Sequence, residues 1–221
     1  MTVEHWGEFA QQWRNSYKQF TKRLAGDPSQ SWASVDEHHL VSLNDLLSQW
    51  KLAGLWSDEQ IRTLSFIWHH LLPWDDSILG VALLNRRFET CTLSNGNISL
   101  LSDLCTFSGI SFTQILSAEM FGTYKPSSRV YLGASERLGL EPGQCAMVAA
   151  HLSDLQAAKQ NGFRTIYVER PDEEDWDADE VAKARRDGWV DLWVGSAGGT
   201  RGFITVAELL GIDFSESAAT R

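Results

Sequence analysis

The sequence predicts two structural units in series: a small helical bundle, then an α/β unit built on a doubly wound parallel sheet. Three observations carry this. Apolar residues recur at steps of three and four through the first seventy positions. After Trp74, short β-prone runs alternate with helical ones. Residues 145–150 form one continuous apolar run, the pattern of a buried parallel strand that expects a neighbour on either side.

The elements follow in order. Trp6, Phe9, Trp13, Tyr17, Phe20 and Leu24 draw one stripe along a first helix, which Gly26-Asp27-Pro28 stops. Ser34 and Glu37 form a capping box ahead of Leu40, Leu43, Leu47 and Trp50. Ser57 and Gln60 repeat that start signal ahead of Ile61, Leu64, Trp68 and Leu71, and Pro73 ends the run. Residues 78–87 then read as helix, and 88–93 as a strand closed by the turn Ser94-Asn95-Gly96. Helices are expected at 97–107, 127–138, 154–161 and around 206–210, with strands at 114–117, 145–150, 165–168 and 192–194. The division is therefore 1–73, helical, and 74–221, α/β.

Three features read as plain. The acidic run 171–180 lacks the glycine turn and terminal glutamate of a calcium-binding loop, and reads as a solvated loop. The glycine-rich run 195–200 lacks the lysine of a phosphate-binding loop, and reads as a flexible turn. His38-His39 and His69-His70 place neighbouring side chains about 100° apart on a helix, which suits surface or partly buried histidines better than one shared metal.

Composition narrows the function classes. Nineteen basic against 29 acidic residues leave a net charge of −10, which argues against nucleic acid as a partner. No apolar run approaches the ~20 residues of a membrane span, and the first residues lack a secretory signal pattern. Three cysteines, Cys91, Cys105 and Cys145, without a CxxC pair imply neither a disulfide framework nor a zinc ribbon; a reducing, cytoplasmic compartment is expected. The ten tryptophans and ten phenylalanines are assigned to core packing.

In such a sheet, ligands bind beyond the carboxyl ends of the strands. Three clusters fall there. Ser94 and Asn95 follow the first strand, Lys125 lies after the second, and His151, Ser153 and Asp154 follow the most apolar one. A lysine, a carboxylate and hydroxyl and amide donors suit an anionic substrate.

These residues, in this order and strand context, resemble the haloacid dehalogenase superfamily, and most of all its type II 2-haloacid dehalogenase branch. The matching pieces are Thr92-Leu93-Ser94-Asn95-Gly96, the stretch from Leu116 to Pro126 with Arg129-Val130-Tyr131, and the stretch from Met147 to Lys159. Trp13-Arg14 matches the family's cap arginine. The resemblance implies a Rossmann-like core with a helical cap. It implies metal-free hydrolytic dehalogenation of short 2-haloacids through an aspartyl ester, with no cofactor and a small anionic carboxylate as substrate. By the same resemblance, Arg14 would clamp the substrate carboxylate, a task suited to a bidentate guanidinium. Ser94 and Asn95 would hold that carboxylate or the attacking group. Lys125 would neutralise and orient the catalytic carboxylates, pairing with Asp154, which would position or activate the hydrolytic water. Tyr131 would hydrogen-bond beside them, and His151 stands where bacterial members usually carry asparagine, in contact with halide or substrate.

Metal-dependent phosphatases of the superfamily typically read Gly-Asp-Ser at the third motif, with the aspartate on Mg²⁺. Here Ala149-Ala150-His151 puts a methyl group in place of that carboxylate, which disfavours a phosphatase. The family's nucleophile is an aspartate in an Asp-x-x-Gly-Thr motif at the end of the first strand, and no such motif occurs in these 221 residues. Met1 stands where the first cap helix would begin. The resemblance therefore leads us to expect a truncated, inactive chain without its central strand, prone to self-association or homodimer formation. The alternative is a natural non-catalytic paralogue that binds small carboxylic acids or a protein partner.

Overall fold

The structure is a computed structural model and describes residues 1–27, 29–196 and 201–212. The turn expected at 195–200 lies largely outside them. The chain forms two compact units, one comprising Met1–Leu71, Leu93–Phe107 and Ile115–Val130, the other Leu72–Thr92, Ser108–Gln114 and Tyr131–Arg221.

Helices α1 (Val3–Gly26), α2 (Val35–Gln49) and α3 (Asp58–Ser65) belong to the first unit. The two serine boxes start α2 and α3 as the sequence implies: Ser34 Oγ accepts from Glu37 N at 3.2 Å, and Ser57 N donates to Gln60 Oε1 at 2.9 Å. A short 3-10 segment, Phe66–His70, follows α3. The apolar stripes meet in two clusters. Phe9 and Trp13 pack with Leu43, Leu46, Leu47 and Ile61. Phe20, Leu24 and Val35 pack with Leu100, Leu101 and Tyr124. Trp6, the first residue of the expected stripe, remains 41% exposed.

The α/β grammar continues with α4 (Ser77–Leu84), β1 (Cys91–Ser94), α5 (Ile98–Ser108), β2 (Gln114–Ser117), α6 (Ser128–Leu138) and β3 (Ala146–Ala149). It ends with α7 (Leu152–Gln160), β4 (Arg164–Val168), α8 (Ala178–Asp187), β5 (Leu192–Val194) and α9 (Gly202–Leu209). The acidic run is not simply a loop. Asp177 Oδ1 accepts from Glu180 N at 2.9 Å, and Asp177 N donates to Glu180 Oε2, so its last residues form the capping box that starts α8.

In the second unit β3, β4 and β5 form a parallel sheet in that order, with Val148 opposite Ile166 and Tyr167 opposite Trp193. Leu83, Leu84, Ile166, Val168, Val194 and Val206 make its core. Gly80 on α4 permits the close approach of α9: a β-carbon there would fall 2.4 Å from Phe203 Cβ. β1 pairs with β2 in a separate two-stranded sheet, and among the described residues no ladder joins the two sheets. β3 is therefore less enclosed than its apolar sequence suggests. Met147 is buried, but Ala146 is exposed and Val148 half-buried. Arg164 N donates to Cys145 O at 2.9 Å, a register that turns the backbone groups of Ala146 and Val148 away from β4. No described strand pairs with that edge.

Candidate active site

In the first unit, the turn after β1 is held from three directions. Asn95 Oδ1 accepts from Lys125 N at 2.8 Å, while its Nδ2 donates to Lys125 O at 3.4 Å. Ser117, fully buried, donates from Oγ to Gly96 O at 2.6 Å, and Ser94 Oγ accepts from Gly96 N at 3.1 Å. Two expected site elements, the Ser94-Asn95 turn and Lys125, are thus brought together through backbone bonds. The side chains of Ser94, Asn95, Lys125 and Arg14 are all half-buried. Truncating Asn95 to alanine removes both bonds to the Lys125 backbone, and should lower stability by ~1–2 kcal/mol; urea denaturation measures this, and an unchanged midpoint would refute the clamp.

In the second unit, Tyr131 and Asp154 meet. The buried Tyr131 hydroxyl donates to Asp154 Oδ1 at 2.6 Å. Burial, reinforced by the Asp154 charge, pushes the phenol far above its ordinary range, so it serves as a permanent donor to that carboxylate. His151 occupies the position before the first turn of α7 without a side-chain capping bond, its Nδ1 buried without a partner and its Nε2 3.9 Å from Glu173 Oε2. Glu174 accepts from Leu152 N at 2.9 Å, satisfying a first-turn N–H of α7. Burial, then the nearby Glu174 and Glu169 carboxylates, push the Tyr167 hydroxyl up to about 12. The acidic run read as solvated therefore places Glu173 beside one expected site residue, His151, and Glu174 against the first turn of α7. Nothing local in the sequence announces this, because the contact depends on where β4 delivers the loop.

The histidine doublets divide. His38 is half-buried and His70 exposed, as expected, whereas His39 and His69, 4% and 1% exposed, are fully buried, a correction. Burial, with the neighbouring His38 charge second, lowers His39 to about 4. Among the described residues, no group of three or more His, Cys, Asp or Glu is placed to hold a metal ion, and no helix is long and apolar enough to cross a membrane.

Comparison with known proteins decides the family. The family model described as haloacid dehalogenase-like hydrolase matches residues 4–162. The chain belongs to the haloacid dehalogenase-like hydrolases. Within them it falls on the 2-haloacid dehalogenase branch. It is 28% identical over 169 residues to (S)-2-haloacid dehalogenase 1 of Pseudomonas sp. strain CBS-3, an alignment covering 74% of this chain and 71% of that one. It is 30% identical over 116 residues to an (S)-2-haloacid dehalogenase of Pseudomonas putida, covering 51% of each, so that match spans about half the relative's length. The crystal structure of an L-2-haloacid dehalogenase superposes with a TM-score of 0.81 at 30% identity, covering 93% of this chain and 84% of that one. The α/β fold of this haloacid dehalogenase-like hydrolase is thereby established, with its parallel sheet.

Proposed function

We propose that this chain carries the substrate-holding and ester-hydrolysing parts of a metal-free 2-haloacid dehalogenase. In this reading residues 1–73 act as the cap and 74–221 as the core. Arg14, Ser94 and Asn95 bind the carboxylate of a short 2-haloacid. Lys125 supplies the compensating positive charge. Asp154, held by the Tyr131 hydroxyl, accepts a proton from the water that hydrolyses the ester, and His151 contacts the halide or the substrate. Ala149-Ala150-His151 carries no carboxylate for Mg²⁺ at the third motif, which supports chemistry without Mg²⁺. We place the protein in the cytoplasm.

The observation that supports this reading most directly is the two-way bonding of Asn95 to the Lys125 backbone, which ties hydroxyl, amide and ammonium groups to adjoining loops. Calorimetric titration with 2-chloropropionate in EDTA tests it. Saturable binding is expected, weakened about tenfold or more, roughly 1.4 kcal/mol, in Arg14→Ala and in Lys125→Ala. Binding of inorganic phosphate alone, and only with Mg²⁺, would overturn it. A non-catalytic carboxylate binder remains the second reading, favoured by one observation: no Asp-x-x-Gly-Thr motif occurs in the 221 residues.

A further inference from the structure

Behind the Ser94-Asn95 turn, in the same unit, lies a polar chain centred on a buried histidine that the proposed chemistry does not use. The His69 ring is 1% exposed, with Nδ1 2.8 Å from Asp103 Oδ2 on α5 and Nε2 3.0 Å from Asp36 Oδ1 on α2. A carboxylate only accepts, so both bonds form together only when each ring nitrogen carries a proton. The other oxygen of Asp36 accepts from Asn97 Nδ2 at 2.6 Å and from Ser99 Oγ at 3.3 Å. The Asp36 backbone N–H returns a bond to Asn97 Oδ1 at 3.3 Å. Asn97, 6% exposed, follows Ser94-Asn95-Gly96 directly.

We propose that Asp103, His69 and Asp36 form a positioning relay, which through Asn97 fixes the Ser94-Asn95 turn in the conformation that receives a carboxylate. A free asparagine amide could rotate, and Asp36 alone could choose among several donors. With one oxygen committed to the His69 ring, Asp36 presents the other to Asn97 in a single orientation, and the two hydrogen bonds between Asp36 and Asn97 set the exit of the turn. The relay thus places a side chain of α2 in control of the loop after β1. The affinity half of this inference rests on the carboxylate-binding reading above; the conformational half does not.

The test uses the full chain, ¹⁵N-labelled, with Asp103→Asn, His69→Gln and Asp103→Glu. Asp103 is 58% exposed, so Asp103→Asn leaves the core intact if His69→Gln proves poorly folded. The expected result is a shift of the backbone amide signals of Asn95 and Gly96 and the side-chain amide of Asn97 in the first two variants. Signals from Phe9, Trp13 and Leu43 stay in place, and Asp103→Glu restores the turn. Affinity for 2-chloropropionate should fall about tenfold in the same two variants and recover in the third. Turn signals that stay put in folded Asp103→Asn would overturn the relay, as would undiminished affinity where the unaltered chain binds. If the unaltered chain binds no 2-chloropropionate while the turn signals still move, the relay stands and the carboxylate reading falls.

Discussion

Replacing Arg170 with alanine is expected to remove about 3–5 kcal/mol of stability, a large part of the ~5–15 kcal/mol typical of a folded domain. Arg170, 5% exposed, forms two parallel bonds to Asp76, 2% exposed, at 2.6 and 2.8 Å. Its guanidinium also lies over Trp74 and Phe203, 5.2 and 5.7 Å from the ring centroids. The same Asp76 carboxylate accepts from Phe203 N at 2.7 Å, so this pair ties the start of α4 to the start of α9. Truncation strands a buried carboxylate, whereas Asp76→Leu with Arg170→Met removes both charges and should recover most of the loss. The pH dependence has a definite sign. Burial raises the Asp76 carboxyl, but the Arg170 bonds and the Phe203 N–H outweigh it and hold the group below its ordinary 3.8. A carboxyl lowered in the folded state stabilises above its unfolded value and loses that contribution as pH falls through the folded one. The gap between the native chain and Arg170→Ala should therefore be full at neutral pH and narrow below about pH 4. Urea denaturation at pH 7 and pH 3 checks both points; a loss under 1 kcal/mol, or a gap that widens in acid, would sink the argument.

No halide release above background is expected from the 221 residues with 2-chloropropionate, in EDTA or with Mg²⁺. Displacement at C2 by the proposed route needs a carboxylate nucleophile, and the motif that would carry it is absent from the sequence. Joining a strand bearing Asp-x-x-Gly-Thr ahead of Met1 should raise metal-independent halide release by several orders of magnitude, within the range of enzymatic acceleration. The strand edges make a companion expectation. Ala146 and Val148 turn backbone groups toward an edge with no described partner, and such an edge is a template for pairing with a second chain. The 221-residue chain should therefore sediment above its monomer mass, and the extended chain should not. Turnover by the unextended chain would reject the missing-nucleophile argument; a stable monomer would reject only the edge argument.

Much of the fold was legible because its signals are local. The boxes at Ser34-Glu37 and Ser57-Gln60 start helices through bonds between residues three apart, and the expected strands 114–117 and 192–194 are β2 and β5. The same logic, applied to Asp177 and Glu180, would have found α8; it was hidden by reading the acidic run through its charge. For the site, the Ser94-Asn95 turn, Lys125 and Asp154 stood out by residue type and position after strands, and Tyr131 by the family resemblance alone. Their structural supports did not. Ser117, Asn97, Asp36 and Glu174 are ordinary polar residues, and their partners lie between 21 and 61 positions away.

By itself, then, the sequence determined the order of helices and strands, the caps that begin several of them, and the candidate residues at strand ends. These depend on backbone preferences and on periodicities of two and 3.6 residues, which operate within a few positions. Only the tertiary structure decided that His69 lies buried between two carboxylates and that Arg170 and Asp76, 94 residues apart, pair in the core. It also decided that β3 keeps one edge free of any described strand. A buried charge or a backbone edge is stable or exposed according to which distant segment the packing brings against it, and no local pattern along the chain encodes that choice.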